Sequence, residues 1–365
     1  MTFAAVLQRS QTEREAWKYT SLKDWAAVAF AQAMPFAVPV APMVRTASLP
    51  PFHRLVFVNG VWDAAASQLN DLPNTVMQGD PQQGYRLTLA GQTCLVTAPI
   101  ELLFINKAEA RPVEAATNLR IALGESGRLT LIERHLGAGE DLFAHVLATE
   151  IELEPQAKLV HGKIVHGDAS TVHLARTRVR ADRGAYYDNF ALLCGGKLVR
   201  NEIDVTLADE MAQSRLNGLM LLREGDHADT TTRLTHAAPH GTSRQFYKSV
   251  VSEKAKAVFQ GKIVVAEGAQ KTDGHQLSRA LLLSDRAEMD AKPELEIYAD
   301  DVKCSHGSTV GDLDEQAMFY LRSRGIGEAE ARTLLIEAFV TELVDNIQVS
   351  ELRRAVRNEV SEWLR

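Results

Sequence analysis

Cys304 and His306 stand two residues apart in the segment DDVKCSHGSTVG, residues 300–311. Alternate residues of an extended strand project from one face, so a thiolate and an imidazole at this spacing can approach one metal ion together. Tetrahedral metals and iron–sulfur clusters want four ligands, so the pair makes half a site and needs another chain or labile exogenous groups for the rest. A purely structural role fits the same two residues, because C-x-H alone specifies little. Cys94 and Cys194 lie within strand-like runs and read as small core residues. Among eleven histidines, His135, His161, His166 and His173 fall in or beside alternating runs, where a structural imidazole is the simpler reading of each.

The motifs that are missing narrow the chemistry. The sequence has no GxxxxGK[ST] phosphate loop, no strand-linked GxGxxG, no HExxH, no paired CxxC and no GxSxG. Its formal charge of −7 is spread along the chain without a basic stripe, so nucleic acid and anionic membrane surfaces are not expected partners. Three widely spaced cysteines suit a reducing compartment. The run Trp25 to Met34 is too short to span a bilayer and contains Gln32 before Pro35, Pro39 and Pro42, so it reads as a buried helix that the prolines end. A soluble, cytoplasmic protein is expected.

The elements that must position the pair follow from periodicity. With 365 residues and 45% apolar content, the chain has enough material for a large core. Seven of its twelve prolines fall between Pro35 and Pro81, so the front differs from the rest. There, TEREAWKYTSLKDW (12–25) reads as a surface helix with Trp17, Tyr19 and Trp25 packed, and Asn59-Gly60 between LVFV and VW reads as a hairpin turn. From about Leu87 to Tyr298, short alternating runs such as LTLIERH (129–135), EIDVTL (202–207) and AVFQGKIVVA (257–266) alternate with compact polar corners. No run between them is long and amphipathic enough for a crossover helix, which argues against a doubly wound α/β sheet. So many short strands must close into a sandwich, barrel or solenoid. Scarce hairpin signals favour the solenoid, while Asn217-Gly218 as a true turn would favour the sandwich.

After Gly311 the period becomes 3.6. Asp312 and Glu315 are spaced as a capping box before DEQAMFYLRSR, and Gly325 and Gly327 break that helix. A longer helix follows, with Ala331, Leu334, Leu335, Ala338, Phe339 and Leu343 in one stripe. Part of this stripe must pack on the solenoid; the remainder, with Phe319 and Tyr320, is either an end cap or a seat for a partner. The expected division is an N-terminal helical region over 1–85, a β-solenoid over 86–308 and a C-terminal helical domain over 309–365.

DDVKCSHGSTVG, with DEQAMFYLRSRGIGEAEARTLLIEAFVTELV after it, resembles the C-terminal signature of the SufD family. The likeness continues in REAWKYTSL (14–22), NLRIALGESGRLTLIERHLG (118–137), NEIDVTLADEMAQSRLNGLML (201–221) and HAAPHGTSRQFYKSV onward to CSHG (236–307). The related SufB subunits resemble a longer chain with extra N-terminal cysteines and an acidic EHE-like motif in place of Cys304-Ser-His306-Gly, so SufD is preferred. The resemblance implies a mainly β fold, a right-handed parallel β-helix flanked by helical regions. It implies a non-catalytic scaffold of iron–sulfur cluster assembly that pairs with SufB through the β-helices and carries the SufC ATPase on its C-terminal helices, around Phe319, Tyr320, Leu334, Leu335 and Phe339. His306, as a neutral imidazole, and Cys304, as thiolate ligand or buried thiol, match the family's interface residues where a nascent Fe–S cluster forms with SufB. No cofactor is expected on the isolated chain, which is open to homodimerisation when SufB is absent. Rival readings are a SufB-like paralogue, a metal-free β-helix adaptor and a β-helix polysaccharide lyase.

Overall fold

A computed structural model describes residues 1–36, 53–68, 75–89, 98–108 and 110–365. Cys94, Pro39 and Pro42 lie outside them. The described residues form two ten-stranded sheets wound as a parallel β-solenoid of about 7 turns. One sheet runs β4 (Thr75–Asp80), β5 (Gly84–Leu89), β7 (Val113–Leu123), β9 (Phe143–Leu153), β11 (Thr171–Ala181), β13 (Leu198–Leu207), β15 (His227–His236), β17 (Lys256–Val265) and β19 (Glu288–Ile297), with β1 (Ala31–Gln32) beside β7. The other runs β3 (Val61–Gln68), β2 (His53–Val58), β6 (Ile100–Ala108), β8 (Arg128–Gly139), β10 (Lys158–His166), β12 (Tyr186–Cys194), β14 (Gln213–Leu222), β16 (Thr242–Val251), β18 (Asp273–Leu282) and β20 (Lys303–Gly311). Helices α1 (Phe3–Thr12), α2 (Glu315–Ser323), α3 (Glu328–Val344) and α4 (Ser350–Trp363) flank them.

Alternation places one face of each strand in the lumen, and parallel pairing stacks like on like. Ile121, Ile151, Val179, Val205, Leu234, Ile263 and Leu295 pair in register through seven successive strands. Each rung buries branched apolar surface worth about 1.5–3 kcal/mol per side chain. The corners stack as well. Ser126, Gln156, Gly184, Met211, His240 and Lys271 all adopt left-handed backbone, and the N–H of each donates to a carbonyl of the following coil. Only one of these six is glycine, so hydrogen bonding between coils, not residue type, holds the corner.

The outer faces explain why strands such as RLNGLMLL are apolar on both sides. α3 and α4 cover Ile132, Ile164, Phe190, Leu192, Leu219, Leu221 and Val250. At Gly162 a Cβ would lie 2.4 Å from Leu352 Cδ1, so the missing side chain lets α4 settle on the sheet. On the opposite sheet α1 and Trp17 cover Ala144, Val146, Val172, Leu174 and Leu198.

Several expectations need correction. Residues 12–25 do not form one α-helix; that helix lies upstream, over Phe3–Thr12, and turns follow it, with a single 3₁₀ turn at Lys23–Trp25. The cause is a buried charge network on the sheet, where Arg200 and Gln260 both donate to the Ala16 carbonyl and Thr20 donates to Asp229. Trp17 is buried against the Arg200 guanidinium, 3.9 Å from the ring centroid, while Tyr19 and Trp25 are partly exposed. The run Trp25 to Met34 is not a helix either. β5 pairs only with the second half of β7, which leaves Val113 and Glu114 free to pair with Ala31 and Gln32. The continuous strands reach back to His53, ahead of the expected 86, because β2 pairs in parallel with β6, and the Asn59-Gly60 hairpin, with both residues at positive φ, folds β3 onto it. Asn217-Gly218 lies inside β14, paired in parallel on both sides, which removes the sandwich alternative. α2 is capped by Asp314, not Asp312. The packed stripe of α3 is Ala331, Ile336, Val340, Leu343 and Val344, rotated from the expected one so that Leu334 faces solvent.

Gly162→Val should destabilise the chain by about 1–3 kcal/mol and free α4, read as a lower urea midpoint and earlier proteolysis after residue 349. His236 is buried, with Nε2 2.9 Å from Ser243 Oγ and Asp273 as its charged neighbour, and burial lowers its pKa from 6.5 to about 4. Below 6.5 the unfolded chain takes up that proton first, so stability falls as pH drops from about 6.5 towards 4. His236→Gln should flatten the urea-midpoint profile across that window.

Candidate functional site

The C-terminal end of the column is where the Cys-x-His pair sits. β20 pairs with β18 alone, with Cys304 opposite Gly274 and His306 opposite Gln276, and its other edge has no strand partner among the described residues. β19 ends the other sheet in the same way. Gly274, Gln276 and their predecessors Ser243 and Gln245 point into the lumen and are buried, so Cys304 and His306 continue that inward row into the last coil. With no further coil below, Cys304 is half-buried and His306 exposed.

Gly274 gives the thiol its room. A Cβ there would lie 3.6 Å from Cys304 Sγ, 3.3 Å from Ser243 Oγ and 3.6 Å from His236 Nε2, so a polar shaft of small groups lies behind the sulfur. Cys304 packs, with Val302, Leu295 and Ala266, against the buried cluster of Ile263, Val265, Ala269 and Ala299. Partial burial, with the Asp273 charge adding to it, raises the Cys304 pKa, although a backbone hydrogen bond from Gly274 works the other way. The thiol therefore stays protonated at neutral pH until a metal or cation draws the proton off. On the outer face of the same strands, Ser305 lies 2.5 Å from His275 Nδ1 while His275 Nε2 meets Asp273 at 2.7 Å, tying β20 to β18.

Among the described residues no further histidine, cysteine or carboxylate completes a metal-sized group with Cys304 and His306. Ile297, Tyr298 and Val310 at this end are exposed apolar side chains.

The expected docking residues divide. Phe319 is 75% exposed, Tyr320 56% and Leu334 40%. Leu335 is half-buried. Phe339 packs under the buried Lys248, whose Nζ lies 4.2 Å from the ring centroid and donates to the Phe339 carbonyl and to Glu342, so it anchors α3 to β16. A cleft of about 880 Å³ opens between α2, α3 and the corner Leu282–Ala287, lined among others by Met318, Phe319, Arg322 and Arg332.

Sequence reasoning missed a second concentration of polar side chains, inside the lumen. Glu133 lies between His135, His161 and Lys163, at 2.5, 3.2 and 2.9 Å, and His145 and His173 lie beside His135. Their sequence separation of one coil is the only signal that could have found them. His166 is partly exposed and bonds Glu359 of α4, a structural contact. Cys194 is buried under α4, in the core role expected.

The comparisons agree with this architecture. Residues 104–339 match the family model for the SUF system FeS cluster assembly SufBD core domain. The iron–sulfur cluster assembly protein SufD of Escherichia coli is 31% identical over 377 residues, which is 96% of this chain and 88% of that protein. An iron–sulfur cluster assembly SufBD family protein of Synechocystis is 30% identical over 389 residues, 95% of this chain and 86% of its own. A family model that spans most of the solenoid, with collinear identity running on into both flanks, places the chain in the SufBD family of iron–sulfur cluster assembly proteins, where it is SufD-like.

Proposed function

We propose that this chain is a non-catalytic scaffold of iron–sulfur cluster assembly whose open column end joins a second β-solenoid, a SufB-type subunit, so that a nascent cluster forms between them. The observation that carries the reading is the placement of Cys304 and His306 on the last strand, with one edge unpaired and no third ligand near by among the described residues. An unpaired strand edge is a template for another chain, and the exposed Ile297, Tyr298 and Val310 add apolar surface to it. The cluster is cargo, not a resident group. His306 offers a ring nitrogen to iron, and Cys304 becomes a ligand as its proton leaves.

Energy must come from a partner, since the sequence carries no phosphate loop. A SufC-type ATPase docked at the cleft, against Phe319, Tyr320 and Leu334, would shift the population of end-on arrangements and so expose or close the cluster site. Leu335 and Phe339 support that surface from behind. Without a SufB-type partner the same edges would accept a second copy of this chain. Such a machine works in a reducing compartment, the cytoplasm of a bacterium.

Anaerobic co-expression with SufB-type and SufC-type partners tests both halves. His306→Ala should leave the three subunits together while iron and sulfide per complex fall to less than half of wild type; unchanged content removes His306 as a ligand. Phe319→Asp should lower ATPase retention about 10-fold or more, as expected for a buried aromatic anchor, with the SufB-type subunit still bound. ATPase retention unchanged by that variant would move the docking surface elsewhere.

A further inference from the structure

His135 of β8, His145 of β9 and His173 of β11 converge in the lumen, several coils away from Cys304 and His306. His145 and His173 occupy the same register on neighbouring strands, and His135 reaches them from the facing sheet. One ring nitrogen of each lies within 4.8 Å of the other two, and all three residues are at most 3% exposed.

Hydrogen-bond accounting shows which nitrogens are bare. His135 Nε2 lies 2.5 Å from Glu133 Oε1. Lys163 and the two imidazole bonds hold Glu133 well below the usual carboxylate range against the effect of its burial, so the carboxylate only accepts. The proton is therefore on Nε2, and Nδ1 presents a lone pair. His145 Nε2 lies 3.2 Å from Thr117 Oγ1, whose hydroxyl donates to the Gly60 carbonyl. Nε2 must then be the donor, which leaves Nδ1 of His145 bare. His135 Nδ1, His145 Nδ1 and His173 Nε2 are buried with no partner. So is Asn106 Oδ1.

These four residues line one small cavity of about 10 Å³, room for roughly one water or one ion. His135 Nδ1, His145 Nδ1 and Asn106 Oδ1 are three acceptors without a donor, an expensive arrangement at about 1–3 kcal/mol for each group left unmet, and His173 Nε2 beside them has no partner of its own. A water brings two hydrogens, one fewer than these acceptors need. A cation satisfies all of them.

Burial keeps the three rings neutral, His135 with a pKa lowered to about 4 and the other two well below their ordinary value, which is the protonation state a metal requires. We propose that His135, His145 and His173 form a buried binding site for one divalent transition-metal ion of the zinc type, with Asn106 at the fourth position and Glu133 and Thr117 fixing the ring tautomers. Imidazole nitrogens suit such ions, and a carboxylate behind a ligating histidine is their usual support. Zinc–nitrogen bonds of about 2.0–2.1 Å set tetrahedral nitrogens about 3.4 Å apart, a closure that rotation about the soft histidine χ2 supplies.

The test uses the full chain with Cys304→Ala and His306→Ala, so that the cluster-forming pair is silent, stripped with chelator and titrated with Co²⁺. One equivalent should bind with visible d–d bands, Zn²⁺ should displace it, and Zn²⁺ should raise the melting temperature. His145→Gln and His173→Gln should each weaken binding by roughly 100-fold or more while the far-ultraviolet circular dichroism stays native. Binding well below one equivalent, no zinc-dependent change in melting, or full binding in a folded His145→Gln chain overturns the site. The first two outcomes need no lumen variant, so a misfolded one leaves the test intact.

Discussion

Parallel in-register pairing is the constraint on which the structure depends. Each coil satisfies its backbone N–H and C=O groups only through the coils above and below, so a solenoid always has two ends where that rule cannot be met from within. At the N-terminal end the chain folds back in antiparallel hairpins, β2 with β3 and β4 with β5. At the C-terminal end no described strand covers β19 or β20. The helices that follow turn aside, because the apolar outer face of the sheet draws α3 and α4 onto its flank. Cys304 and His306 lie on the end that this packing leaves open.

The same stacking rule governs the lumen. Most rungs are aliphatic, and the charged side chains Glu133 and Lys163 enter as a pair. On the outer face, beneath the N-terminal segment, Arg200 is likewise almost fully buried between Asp229 and Glu202. A buried charge is tolerated only with such partners. Around His135, His145 and His173 the partnerless ring nitrogens share one small cavity with Asn106 Oδ1.

Much of this was legible beforehand. Alternating runs and the lack of crossover helices pointed to short strands in a closed arrangement, and the Asn59-Gly60 turn and the placement of Cys304 and His306 after the last long run followed from the residues themselves. The coil period stayed obscure for a physical reason: the aliphatic ladder advances by 26 residues from Val179 to Val205 and by 32 from Ile263 to Leu295. Corners absorb the difference, so no fixed repeat survives. The N-terminal segment misled because its aromatics and charges answer to Arg200 and Asp229, almost 200 residues away, and not to a helical face of their own. The stripe of α3 was displaced because Ile336, Val340 and Val344, which a rotation of the helix brings to the sheet, are as apolar as the residues first chosen. Register decides which residues share the lumen, and register is what the sequence alone withholds.

Hydrogen exchange along β19 and β20 tests the central claim most directly, since amides on an unpaired edge exchange far faster than those inside a sheet. For the isolated monomer the account predicts fast exchange at alternate positions of Lys303–Gly311 and Glu288–Ile297, and strong protection of those same amides once a SufB-type subunit is bound. Full protection in the monomer, or no change on partner binding while other surfaces slow, would contradict it.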